Sequence, residues 1–203
     1  VGLAGRAAKR NGTAMTIFTT TPVAVSTSGA PMHEAVPSEI ATTRHQPIVY
    51  LAGPLFSEPE RRWCEHLQAR LEAEAGVAVL WPWDMVLVEQ PQWESLEPGP
   101  RQVMLASICR KGIDRCDILV ALLDTIPSDD GTAWELGYLW GSRQTTCAKQ
   151  APVFGLRTDI RDYGDSGAPL NAMVGAHVFL FGKLCTTVDE LVFEVRRAAE
   201  KLS

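Results

Sequence analysis

The strongest constraint on this chain is a run of six apolar residues without a break, Ile118-Leu119-Val120-Ala121-Leu122-Leu123. A short run with no polar alternation fits a strand covered on both faces, as in a parallel sheet flanked by helices. The surrounding segments agree. Ile48–Gly53 (IVYLAG) reads as a second buried strand. Ser57-Glu58-Pro59-Glu60 has the form of a capping box, with Ser57 as N-cap and Glu60 three residues on. It opens a helix to about Ala75, with Trp63, Leu67 and Leu71 on its apolar stripe and Gly76 as its stop. Val77–Trp81 is the next strand, closed by Pro82. Arg101–Arg115 is a helix, Cys116–Leu123 the central strand, and Thr132–Gln144 the helix after it. Ala151–Leu156 and His177–Phe181 are two more strands. Thr186 to Leu202 is the closing amphipathic helix, with Leu191, Val195 and Ala198 inward. Residues 84–100, which include Pro91, Pro98, Gly99 and Pro100, read as a long irregular loop of the kind that is usually functional or mobile.

This alternation predicts an α/β fold: a doubly wound, flavodoxin-like, five-stranded parallel sheet with helices on both faces. Such sheets bind ligands outside the carboxyl ends of their strands, at the topological switch point. Here that point lies between the first and central strands. Tyr50 to Phe56 and Asp124 to Glu135 therefore face the expected site. Residues 1–47 differ: they are rich in Thr, Ser, Ala and Pro, lack sustained periodicity, and read as a flexible N-terminal extension before a domain at 48–203. Their first fifteen residues have too short an apolar core for a secretory signal, and Met15 is a possible start.

The net charge is −5, with Lys and Arg dispersed, so a nucleic-acid partner is not expected. No apolar run approaches a membrane span. The five cysteines form no CxxC pair, and no histidine sits at ligand spacing from another His, Cys or Asp. Reduced thiols, a cytoplasmic location and no metal or cofactor are the expectation. GxGxxG after the first strand, GxxxxGK[ST] and GxSxG are all absent, which argues against dinucleotide, P-loop and serine-hydrolase chemistry.

The densest group of chemically active residues is SDDGTAWELGYLWG, Ser128–Gly141. Glu135 lies one turn inside a helix among Ala133, Trp134, Leu136 and Gly137. An oriented, partly desolvated carboxylate near a helix N-terminus is a good nucleophile toward an anomeric carbon. A carboxylate that merely stabilises the helix is the alternative. One of Asp129 and Asp130 is the expected N-cap, and the other could hold a sugar hydroxyl. Gly131 permits close backbone approach to a ligand. Tyr50 could reach the same crevice or be a core aromatic. The AGPLF turn, with Gly53, Pro54 and Phe56, suits a flat apolar group such as a nucleobase.

Three separated stretches, IVYLAGPLFSEPERRW, CDILVALLDTIPSDDGTAWELGYLWG and PLNAM, resemble the nucleoside 2-deoxyribosyltransferase family and arrive in its order, from Ile48 onward. The resemblance implies that Glu135 is the nucleophile that takes the sugar as a covalent ester, and that Tyr50 orients it. It implies that Asp129 holds the 5'-hydroxyl, and that Asp84, in WPWD, lies near the nucleobase. It implies that Asn171, with Met173 beside it, enters a neighbouring subunit's site, so that the protein is a homo-oligomer acting on 2'-deoxynucleosides and free nucleobases. One departure stands out. Cys109 occupies a position where the family often has an aspartate that handles the base. The segment from Met85 to Gly99 is longer than expected, with Trp93 as a candidate lid. Two other functions remain in view: a nucleoside 5'-monophosphate N-glycosidase, against which Asp129 argues by repelling a phosphate, and a nucleotide-sensing module without turnover.

Overall fold

The computed structural model describes residues 45–125, 127–145, 151–161 and 170–203; the extension expected over residues 1–47 lies outside them except for its last three positions. The apolar run becomes β3 (Ile118–Leu122), every residue of which is buried. It pairs in parallel with β1 (Ile48–Ala52) on one side and β4 (Val153–Leu156) on the other. β2 (Ala78–Leu80) joins outside β1, and β5 (Gly182–Cys185) joins outside β4. The sheet order is β2-β1-β3-β4-β5, all parallel, as the predicted fold class requires. The chain crosses over β1 on its way from β2 to β3, so a crevice opens at the carboxyl ends of β1 and β3.

Helix α1 (Glu58–Arg70) starts with both halves of the capping box: the Ser57 N–H donates to the Glu60 carboxylate at 2.7 Å, and the Glu60 N–H donates to the Ser57 hydroxyl. A wider turn over Leu71–Ala75 carries it to Gly76, whose φ of 69° is left-handed and suits glycine. Strand side chains alternate in direction. Val49 and Leu51 therefore pack in a layer with α1 and α6 (Val188–Ala199), while Tyr50 and Ala52 face the opposite layer. That second layer holds α2 (Pro82–Glu89), α3 (Pro98–Arg115), α4 (Asp130–Thr145) and α5 (Ala172–Phe181).

Two expectations are overturned. Residues 84–100 are not one irregular loop. Pro82 opens α2 at a position where its missing N–H is harmless, and Met85 and Val86 are buried beneath it. Between α2 and α3 only a short connection remains, with a single tight turn at Trp93–Ser95. The second correction concerns His177–Phe181, which belongs to α5 and is not a strand. A continuous apolar stretch does not distinguish a buried strand from a buried helix. Here a cap decides: the Asn171 side chain accepts from the Met173 N–H at 2.9 Å and starts the helix. The fifth strand is the next segment, whose exposed Gly182 and Lys183 conceal it from an apolar scan.

One glycine in this layer bears on the site. Gly112 lies mid-helix in α3, where glycine normally costs about 1 kcal/mol relative to alanine. A Cβ at Gly112 would sit 2.8 Å from Tyr50 Cε2 and 3.0 Å from Met85 Cε. The bare backbone therefore makes room for the tyrosine ring. Gly112→Ala is expected to lower unfolding free energy by about 1–3 kcal/mol, against its gain in helix propensity. Urea denaturation checks this, and a stabilised variant would contradict it.

Candidate active site

The site begins with the start of α4. The Asp129 carboxylate accepts from the Thr132 N–H at 2.8 Å and from the Thr132 hydroxyl at 3.0 Å. The Asp129 carbonyl accepts from the Ala133 N–H at 2.9 Å. Asp129 is thus the N-cap, and Asp130 is exposed. A Cβ at Gly131 would lie 3.1 Å from the capping oxygen, so glycine leaves that carboxylate its place. Almost two turns further on, Glu135 faces the sheet with Leu136 and Leu139 and is 9% exposed.

There it meets Tyr50. The phenol of this fully buried strand residue donates to Glu135 Oε1 at 2.6 Å. Burial pushes the Glu135 carboxyl up to about 7, and the nearby Asp129 charge adds to the rise. Hydrogen bonds from Tyr50 and Cys109 act in the opposite direction. Burial, then the Glu135 charge, pushes the Tyr50 phenol far above its ordinary range, so it stays a donor. The Cys109 thiol, on α3, is pushed up to about 11 by burial first and the Glu135 charge second. Two neutral donors therefore converge on one carboxylate. The favourable helix N-terminus is opposed by desolvation, which sets the direction of the Glu135 shift.

Glu135, Cys109, Asp129 and Gly131 line a cleft of about 480 Å³ at the carboxyl end of β1. Gly53 and Phe56 reach the same cleft from the β1–α1 connection. Phe56 is 73% exposed at its rim. A Cβ at Gly53 would lie 2.8 Å from Leu122 Cδ1, so glycine lets that turn approach β3. The far wall is largely apolar, with Trp83, Val86, Trp93 and Leu105, and Glu94 lies beside Trp93. Trp83 and Trp93 meet edge to face at 6.2 Å. The Arg61 guanidinium lies 4.9 Å from the Trp83 ring and donates to the Leu55 and Phe56 carbonyls at 3.1 and 3.0 Å. It pins the β1–α1 turn to the aromatic wall. A larger hollow, of about 680 Å³, opens at the amino ends of β3, β4 and β5 and contains none of these groups. The smaller cleft holds the paired carboxylate and lies at the switch point, and it is the candidate site.

Not every expected residue comes here. Asp84 is half-buried in the first turn of α2 and does not line the cleft; its neighbour Trp83 does. Asn171 and Met173 line a separate hollow of about 470 Å³ against α4, and both are exposed. Arg61, Trp83, Val86, Glu94, Leu105 and Thr132 line the cleft without having been singled out in the sequence. The two tryptophans of WPW, next to a strand end, were the available signal for Trp83; the others resemble ordinary core or surface residues. Among the described residues no cluster of three or more His, Cys, Asp or Glu is placed to hold a metal. Cys64, Cys109, Cys116 and Cys185 are free thiols, and Cys147 lies outside the described residues. No helix among the described residues is long and apolar enough to cross a membrane.

The family model for nucleoside 2-deoxyribosyltransferase matches residues 49–173, more than half of the chain and all of the cleft-lining residues. The chain belongs to that family. Among solved structures, a conserved protein from Enterococcus faecalis V583 is 22% identical over 75% of this chain and 99% of its own, with a TM-score of 0.59. A 2-deoxyribosyltransferase from the psychrotolerant bacterium Bacillus psychrosaccharolyticus is 19% identical over 71% of this chain and 90% of its own, with a TM-score of 0.50. At these identities both show a shared fold. No curated protein sequence matches the chain.

The Glu135 shift has a consequence for stability. Its carboxyl rises from an ordinary 4.5 to about 7, so the folded protein holds that proton more tightly than the unfolded chain does. The contribution is fully present below 4.5 and is lost as pH rises through about 7. Urea denaturation across that window should show a stability decline that Glu135→Gln removes. An identical slope in both proteins would contradict the assignment.

Proposed function

We propose that this member of the family transfers a 2-deoxyribosyl group between nucleobases by double displacement through a covalent ester on Glu135. The observation that carries this reading is the 2.6 Å Tyr50–Glu135 hydrogen bond beside a cleft with an apolar wall. A 2'-deoxynucleoside lies with C1' against Glu135 and its base against the tryptophans. The base departs through an oxocarbenium-like transition state, and Glu135 traps the sugar. A second base then attacks C1' from the vacated place, with net retention. Tyr50 holds Glu135 in one orientation and stabilises its anion. Limited access of water to Glu135 favours transfer over hydrolysis. No metal or cofactor enters these steps.

Asp129 is assigned to the sugar 5'-hydroxyl. Its Oδ2 is engaged as the cap, which leaves Oδ1 for a ligand hydroxyl. A negative charge there disfavours a dianionic 5'-phosphate, so a nucleoside is preferred to a nucleotide. The catalytic domain is assigned to residues 48–203. A homo-oligomer is part of the proposal: Asn171 and Met173 lie outside their own cleft, and Met173 is 75% exposed, as suits a residue that reaches a neighbour's site.

The test is chromatographic. With 2'-deoxyinosine or thymidine as donor and adenine as acceptor, the protein should form 2'-deoxyadenosine with ping-pong kinetics. Glu135→Ala should lose on the order of a thousandfold or more. Free base without new nucleoside would show a hydrolase, and no turnover would overturn the reading. Tyr50→Phe removes a hydrogen bond that lowers the Glu135 pKa, so the rise of activity with pH, expected near 7, should move upward. An unmoved profile would separate Tyr50 from Glu135 ionisation.

A further inference from the structure

Nucleobases leave slowly as anions, and a ring nitrogen that receives a proton makes departure easier. The cleft holds five strongly ionisable side chains: Arg61, Glu94, Cys109, Asp129 and Glu135. Four are committed. Arg61 stays charged and binds two carbonyls of the β1–α1 turn. Asp129 caps α4 through Oδ2. Glu135 is paired with Tyr50 and serves as nucleophile. Cys109 is turned to the Tyr50–Glu135 pair. Asp84, the acid that the sequence suggested for the base, does not line the cleft.

Glu94 is left. It sits in the tight turn at Trp93–Ser95, beside the tryptophan wall where the base is placed. Among the described residues its carboxylate has no hydrogen bond or ion pair, so it is free for a ligand. The backbone that carries it is nonetheless fixed. Arg101 of α3 donates to the Glu94 carbonyl at 2.5 Å and to the Leu96 carbonyl at 2.7 Å, and its guanidinium lies 5.8 Å from the Trp93 ring. The Ser95 N–H donates to the Gln92 carbonyl at 3.0 Å.

We propose that Glu94 is the acid–base group for the nucleobase, giving a proton to the departing base and taking one from the incoming base. This rests on the transferase reading above. In the first half the C1'–N bond breaks with its electron pair on the base, the Glu94 carboxyl gives its proton to a ring nitrogen, and a Glu135 oxygen bonds to C1'. In the second half a nitrogen of the incoming base bonds to C1', the C1'–O bond breaks with its pair on Glu135, and the base N–H proton passes to Glu94. The proton count closes over the two halves without a further reactant.

The experiment compares first-turnover base release from two donors, without acceptor, in wild type, Glu94→Gln and Glu94→Asp. One is 2'-deoxyinosine, whose base needs a proton to leave. The other is 7-methyl-2'-deoxyguanosine, whose base already carries positive charge and leaves without one. Base release from 2'-deoxyinosine should fall on the order of a hundredfold in Glu94→Gln and recover in part in Glu94→Asp. Release of 7-methylguanine should be unchanged, which also shows that the variant is folded. No loss with either donor, or equal loss with both, overturns the proposal. A wild-type protein inert toward both donors overturns the transferase reading, and this one falls with it.

Discussion

A single hydrogen bond, from the Tyr50 phenol to Glu135, ties the centre of the sheet to the helix after β3. A carboxylate placed in this layer alone would carry the full cost of desolvation. Tyr50 and Cys109 offset part of that cost while staying neutral themselves, because burial raises both of their pKa values. Much of the neighbouring structure serves this contact. Gly112 clears space for the tyrosine ring, and β1 must present Tyr50 to the α3–α4 layer while Val49 and Leu51 fill the other. The Asp129 cap fixes where α4 begins and so which face carries Glu135.

The opposite side of the cleft is built on different physics. It relies on aromatic and cationic packing, with Arg61 over Trp83, Trp83 edge-on to Trp93, and Arg101 beside Trp93. These contacts hold the segment between α2 and α3 against the site without a long stretch of regular structure. The cleft thus has a polar, hydrogen-bonded side and a largely apolar one. That division matches what a nucleoside presents, a hydroxylated ring joined to a flat heterocycle.

Much of this was legible in the sequence because it rests on local chemistry. Continuous apolar runs marked β1 and β3, a complete capping box marked α1, and Gly76 marked its end. Tyr50, Gly53, Phe56, Asp129, Gly131 and Glu135 could be brought together because strand ends at a switch point converge whatever the loops do. Sequence and structure part where one local signal supports two structures. Pro82 reads as a strand stop and as a helix start, and the stretch before Gly182 reads as a buried strand and as a buried helix. Trp83, Leu105 and Glu94 were hidden for another reason. Their place in the cleft depends on how α2 and α3 pack, which no short-range pattern encodes.

The central claim is that Glu135 carries the sugar as an ester. Its most direct test is peptide mass spectrometry on wild-type protein incubated with a 2'-deoxynucleoside in the absence of acceptor and quenched in acid. A 2-deoxyribosyl mass increment is expected on the peptide containing Glu135, and it disappears when adenine is added before the quench. Turnover of donor with no adduct on that peptide, or with an adduct elsewhere, would contradict it.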